Sequence, residues 1–486
     1  MRVVVAAVTM CTSALGALQT LYFCNGQGWM TGAADTPANT FIYPSLAEAG
    51  SYRRSMFAGR ALFGAMQASF GSVTLTNLDG ALDAWVDYGF DGREISLYVG
   101  EEGAAFPADF ARIITTDLLS ADVSPERVVL TLRDPMHLLS RPVVRERFTG
   151  AGGLEGPAGL DGQPKPRCAG GTFFTPMILV DSASSIYLVC TDATFSSGAT
   201  VYDGGVAVTL GSAYPDTATL ISTAPTAGQA RVYYGGPTYV RFASAPTYEP
   251  TISRLAAIGS GGVMAALAAE AGLTVHGTHT TGPVMGAYVA DSRTTYLEIF
   301  ARDSMQTPRW FGVDRDGLFV VRAVEDPIGG TSVAEINSHD VLSITRTTPD
   351  GLDVPLWRVT ARGDKNWSRD RTLAAAAVAA ARQDYISSSE DEDAAVLTKH
   401  PLAGELAIEI NNDPTVTAAA HLALHGTARS VWVVAVDLRP EWAEIDLGDV
   451  VTLTHYRMGL SAGKKLLTVD RADDLAGRRI VFSLWG

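Results

Sequence analysis

The folds open to this chain are limited most by how its apolar runs end. Short stretches of β-branched and aromatic residues are cut off, again and again, by Gly, Asn, Asp or Pro, which predicts strands and tight turns rather than long helices. Ser72–Asn77 alternates, with Val73 and Leu75 on one face. Arg93–Val99 alternates too, after the turn pair Asp91-Gly92, and Phe110–Ile114 and Arg127–Arg133 follow. The opening run Val3–Val8 imitates the apolar core of a secretory signal. Thr9, Cys11, Thr12, Ser13 and Gln19 interrupt it, so it reads as a strand, with Leu21–Cys24 another that ends at Asn25-Gly26. Residues 1–142 therefore predict a small β-barrel or sandwich.

The pattern then changes twice. In residues 143–250, Gly153, Gly156, Gly159 and Gly162 space out a loop too short for a collagen-like helix. Ser185–Cys190 and Ala199–Asp203 follow as strands, the second turning at Gly204-Gly205. In residues 251–428 a helical period enters. Ile252, Leu255, Ile258, Val263, Leu267 and Ala271 predict one or two short helices broken at Gly259–Gly262, and Tyr296–Arg302 predicts another. Trp310–Val320 reads as two strands meeting at Asp316-Gly317, while Ala-rich Thr372–Arg382 and Val416–Arg429 favour helix. Residues 429–486 return to strands at Val431–Val436, Leu447–Thr454, Lys465–Val469 and Arg479–Trp485. The expected class is β-rich α+β, in four parts: 1–142, 143–250, 251–428 and 429–486.

Charge narrows the function. The chain carries 37 Lys and Arg against 52 Asp and Glu, a net −15, so its body repels phosphate backbones and argues against nucleic-acid binding. Ser387–Asp393 lies in the most acidic stretch and reads as a solvated loop. No window is apolar for long enough to span a membrane. Cys11, Cys24, Cys168 and Cys190 form no CxxC pair; spacing would let Cys168 and Cys190 meet across a hairpin but does not establish it.

Catalytic signatures fail one by one. His276 and His279 sit in a Gly/Thr-rich stretch without a nearby acid and read as loop. His421 and His425 would share a helix face, but Leu422 stands where the zinc-protease glutamate belongs, so they read as a surface or interface pair. Asp314-x-Asp316-Gly317 begins like a calcium loop and is cut short by Phe319-Val320-Val321, which makes it a hairpin turn. The sequence nominates no catalytic, cofactor-binding or metal-ligating residue, and an enzyme is disfavoured.

Five stretches together resemble the tail-tip or baseplate hub proteins of long-tailed phages, prophages and gene transfer agents. Gly71–Gly80 and Asp91–Gly100 look like the first barrel of that family. Gly159–Pro166, with Ile186-Tyr187 and Val201–Gly205, is similar to its β insertion. Trp310–Gly317 matches the strand pair after the middle helices. Trp357–Val359 and Asn366-Trp367, followed by the helix expected near Arg382 and by Lys399–Ala403, look like the second half of the middle domain. Leu447–Leu453, Gly459-Leu460, Gly463–Lys465 and Val481–Gly486 resemble the closing barrel.

The resemblance implies a homotrimer in which the two small β-barrels of each subunit form a ring. It implies docking on the distal tail protein, contact with the tape measure protein, and a central fibre or spike carried below. The insertion, 143–250, would face outward toward another tail protein or a host-surface glycan. Two rivals remain: a secreted or surface β protein binding carbohydrate, and a tail-associated cell-wall or glycan hydrolase.

Overall fold

The structure is a computed structural model describing all residues except 1, 14, 57–62, 193–197, 255–258, 348–354, 369–371 and 428. It is β-rich, with several sheets, one of them a nearly closed barrel.

A nine-stranded sheet takes in the first part of the chain. Its spatial order is Trp29–Met30, Phe41–Tyr43, Leu18–Cys24, Arg2–Cys11, Glu94–Glu101, Ala111–Val123, Arg127–Arg133, Ser72–Thr76 and Leu46–Glu48. The opening strand explains its own signal-like composition. Val4, Ala6, Val8 and Met10 point into the main core, while Val3 and Val5 pack on the other face against Cys24, Ile42, Phe106 and Phe110. A strand covered on both faces has no polar side to alternate with. Antiparallel pairing sets Val4 opposite Val99 and Ala6 opposite Leu97.

The closing strands build a second sheet, ordered Ser332–Ile336, Val450–Leu453, Lys464–Asp474, Arg479–Trp485, Val431–Asp437 and Val341–Thr347. Its two edges are successive strands joined only by residues 337–340, so the sheet must bend back toward itself there. The early strand Ser51–Ser55 pairs with Lys464–Asp474 and with Gln67–Phe70. One continuous core serves both sheets: Val73, Leu97 and Leu130 belong to the same cluster as Trp432, Val434, Phe482 and Leu484. Arg2 bonds to Asp437 across nearly the whole sequence at 2.5 Å.

Between the two lies an eight-stranded sheet from Thr172–Pro176 to Pro250–Arg254, and beside it a mixed region. Ile252 belongs to the Pro250–Arg254 strand, where it is buried opposite Val201, and not to a helix. Leu255 and Ile258 fall outside the described residues. Val263, Leu267 and Ala271 do lie on a helix, Ser260–Ala271. Tyr296–Asp303 is a second, fixed by a capping box between Thr295 and Glu298. Arg309–Val313 and Phe319–Ala323 form the expected hairpin, with the Asp314 carboxylate accepting the N–H groups of Asp316 and Leu318.

Two further expectations fail here. Ala-rich Thr372–Arg382 is not an α-helix; only Ala379–Arg382 makes a 3₁₀ turn. The N–H groups of Ala374 and Val378 donate instead to the carbonyls of Gly204 and Gly205. Gly205, at φ +80°, leaves no room for a Cβ beneath Ala377 and Ala381. Docking on that turn overrides propensity. Ser387–Asp393 is not a loop: Tyr385–Glu392 is an edge strand paired with Leu356–Lys365. Glu390 and Glu392 point outward, and Arg358 pairs with Glu390 at 2.5 Å. Charge on an exposed edge discourages unwanted strand pairing.

Candidate functional site

The histidine candidates settle first. His276 and His279 lie in irregular chain between the Ser260–Ala271 helix and the Gly286–Val289 strand. His421 and His425 share a face of the Thr417–His425 helix, their rings stacked 5.8 Å apart at 18°. They are not a surface pair. His421 is fully buried; its Nε2 donates to the Met305 carbonyl at 2.9 Å, and the Phe63 ring meets it edge-on. Burial pushes both imidazoles down to about 4, with the neighbouring His421 adding to the effect on His425. Both are neutral at pH 7 and pack as aromatic rings. Among the described residues, no group of three or more His, Cys, Asp or Glu side chains converges as a metal site would require.

The densest buried charge lies where the two terminal sheets meet the middle hairpin. Arg471, wholly buried on the Lys464–Asp474 strand, is bidentate to Asp473 at 2.8 to 3.0 Å and donates to the carbonyls of Ala443 and Ile445. Arg54, from the early strand, is an ion contact of Asp446 at 2.7 Å. The Asp446 carboxylate also accepts the N–H groups of Arg315 at 3.0 Å and Leu447 at 2.7 Å. Burial pushes this carboxyl up, but Arg54 and Arg471, with those two N–H groups, outweigh it and hold it well below the ordinary carboxylate range.

The network joins residues from positions 54, 315, 446 and 471 and presents no open nucleophile or base. Its chemistry is that of a rigid joint: groups whose hydrogen-bonding directions are specific hold three parts of the chain in one arrangement. Sequence reasoning passed over it. The available signal was Arg471-x-Asp473, opposite charges two residues apart and so on one face of a strand.

Outside the joint, apolar side chains collect at free sheet edges. Met30, Phe41 and Tyr43 are exposed on the short outer strands of the first sheet. Val333 and Leu342, at 59% and 63% exposure, mark the two edge strands of the second, with Tyr456 and Met458 exposed on the nearby loop that Ser338 tethers. Two open clefts lie elsewhere. One of about 540 Å³ is lined by Tyr288, Asp291, Glu298, Arg302, Trp367 and Asn411.

No protein-family profile matches this chain, and no curated protein sequence does. Solved structures that match this chain loosely include phage and prophage tail proteins. The 43 kDa tail protein of prophage MuSo2 from Shewanella oneidensis is 12% identical, with a TM-score of 0.41 over 100% of this chain and 98% of that one. The tail protein from Neisseria meningitidis MC58 is 10% identical, with a TM-score of 0.44 over 99% and 96%. A chain of the native gene transfer agent virion is 15% identical, with a TM-score of 0.44 over 67% of this chain and 84% of its own. Likenesses this loose carry nothing over to this chain, and what those proteins do is theirs.

Proposed function

We propose that this chain is a structural, non-catalytic component of a phage tail: the trimeric hub of the tail tip, or baseplate. It would join the distal end of the tail tube to the central fibre or spike and line the DNA exit channel. The observation that carries this reading is the common core of the two terminal β units. A chain whose ends fuse into one body offers two β units in fixed relation to one another, which is what a ring with two units per subunit needs. The exposed apolar edges at Met30, Phe41 and Tyr43, and at Val333 and Leu342, supply surfaces for association. The net charge of −15 suits a channel wall that DNA must pass without sticking.

In this reading 1–142 is one hub unit and 429–486, completed by the strands Ser332–Ile336 and Val341–Thr347, is the other; the rest of 251–428 is the middle and 143–250 the outward insertion. The partners are two further copies, the distal tail protein, the tape measure protein and the fibre or spike. The protein resides in the virion after assembly in the host cytoplasm. Solution molar mass with negative-stain imaging tests it: the expected particle has three times the 51.4 kDa chain mass and a central channel. A monomer that stays monomeric with its tail partners present would overturn it.

Glycan binding, whether by the insertion or beside it, is the second reading, and one observation favours it. The Tyr288 and Trp367 rings meet edge-on at 5.9 Å in a cleft that also holds carboxylates, an amide and Arg302. Aromatic faces among a few polar groups are the usual furniture of small-ligand sites.

A further inference from the structure

Cys168 and Cys190 meet in the structure, although not across a hairpin. Cys168 is on the Arg167–Gly170 strand, whose ladder partner is Gly286–Val289 of the middle part. Cys190 ends the Ile186–Cys190 strand, which pairs inside the insertion sheet with Ile178–Asp181 and Thr238–Phe242. Asp192 bridges the two. Its carboxylate accepts the Cys168 N–H at 2.9 Å, and its carbonyl accepts the Cys190 thiol at 3.6 Å. Both side chains are buried in one cluster with Val189, Val201 and Ile252, and the Cys168 thiol is hydrogen-bonded to Cys190. The remaining two cysteines have no such geometry. Cys11 lies opposite Leu18 and Cys24 opposite Val5, which leaves them about 20 Å apart along one ladder.

We propose that Cys168 and Cys190 are an oxidisable pair whose disulfide staples the insertion sheet to the middle sheet. The two sheets share no strand ladder at this point; besides side chains, one backbone hydrogen bond, from the Thr191 N–H to the Pro166 carbonyl at 2.9 Å, holds them there, and the disulfide would add a covalent tie. The oxidant is a low-molecular-weight disulfide. One cysteine thiolate attacks a sulfur of oxidised glutathione and releases one reduced glutathione, leaving a mixed disulfide. The second thiolate attacks the protein sulfur of that bond and releases another. Two electrons pass to the oxidant, and the two protons given up by the cysteines end on the departing thiols.

Burial pushes the Cys168 thiol up, so exchange is slow and the pair stays reduced in a reducing compartment. A virion component passes from reducing cytosol to an oxidising exterior, and that timing rests on the tail reading above. The bond chemistry does not.

The test exposes the purified full chain to oxidised glutathione, quenches with acid, alkylates under denaturing conditions and maps the peptides. A parallel sample, unfolded in urea, shows that the oxidant is competent. The expected result is a single intramolecular link between Cys168 and Cys190, with Cys11 and Cys24 still alkylated. Thermal melting should shift up by several degrees, and a reductant should reverse the shift. Cys168→Ser and Cys190→Ser should each abolish the shift, while Cys24→Ser should not. Four alkylated cysteines in the folded sample, beside an oxidised urea sample, would overturn the proposal, as would a link through Cys11 or Cys24. Molar mass of the oxidised sample keeps the two readings apart: a linked monomer retains the staple and counts against the hub, and an unlinked trimer does the reverse.

Discussion

At the scale of single residues, the joint around Asp446 and the buried histidines make opposite demands on charge. Asp446→Asn removes the anion facing Arg54 and Arg471, so it should cost about 3 to 5 kcal/mol, read as a lowered urea midpoint. The histidines must stay neutral. Their folded pKa of about 4 lies below the unfolded value near 6.5, so between those limits the unfolded chain binds more protons. The stability they contribute is complete above about pH 6.5 and lost as pH falls toward 4. Hydrogen exchange across Thr417–His425 at pH 7 and pH 5 checks this: protection of that helix should fall at pH 5, and His421→Phe should flatten the change. The helical spacing of these histidines was legible in sequence. Their burial was not, because the Met305 carbonyl and Phe63 that enclose His421 come from distant parts of the chain.

At the scale of elements, local pattern predicted strands and turns well, put Ile252 on a helix instead of the Pro250–Arg254 strand, and read two longer segments badly. Ser72–Thr76, Glu94–Glu101 and Arg479–Trp485 alternate or run apolar because their side chains meet a core, and that requirement is written locally. Thr372–Arg382 and Ser387–Asp393 failed because each takes its conformation from a partner, the Gly204-Gly205 turn in one case and the Leu356–Lys365 strand in the other. Gly205→Val should therefore lift the Ala377 and Ala381 contact, visible as faster exchange over 374–382 with the terminal sheets unchanged. Exposed edges make a separate prediction. Leu342→Lys with Val333→Lys places charge on both edges of the second sheet, so it should weaken self-association severalfold with little change in melting. Analytical ultracentrifugation would read it. In the Tyr288 and Trp367 cleft, Trp367→Ala should abolish any glycan binding that calorimetry detects.

At the scale of the whole molecule, the shared core means that neither terminal β unit is complete alone. Residues 1–142 expressed by themselves should expose the apolar surface that Trp432, Phe482 and Leu484 cover, and should aggregate. Co-expression with 332–486 should return soluble complex, measured by co-purification. The sequence by itself determined the β-rich class, the order of strands and turns, and the acidic balance, because periodicity and charge are properties of neighbouring residues. Only the tertiary structure decided that position 2 would meet position 437, that Arg54 would face Asp446, and that Cys168 would lie against Cys190. Those contacts join segments tens to hundreds of residues apart, and a linear pattern carries no record of which buried groups will satisfy one another until the sheets have closed around them.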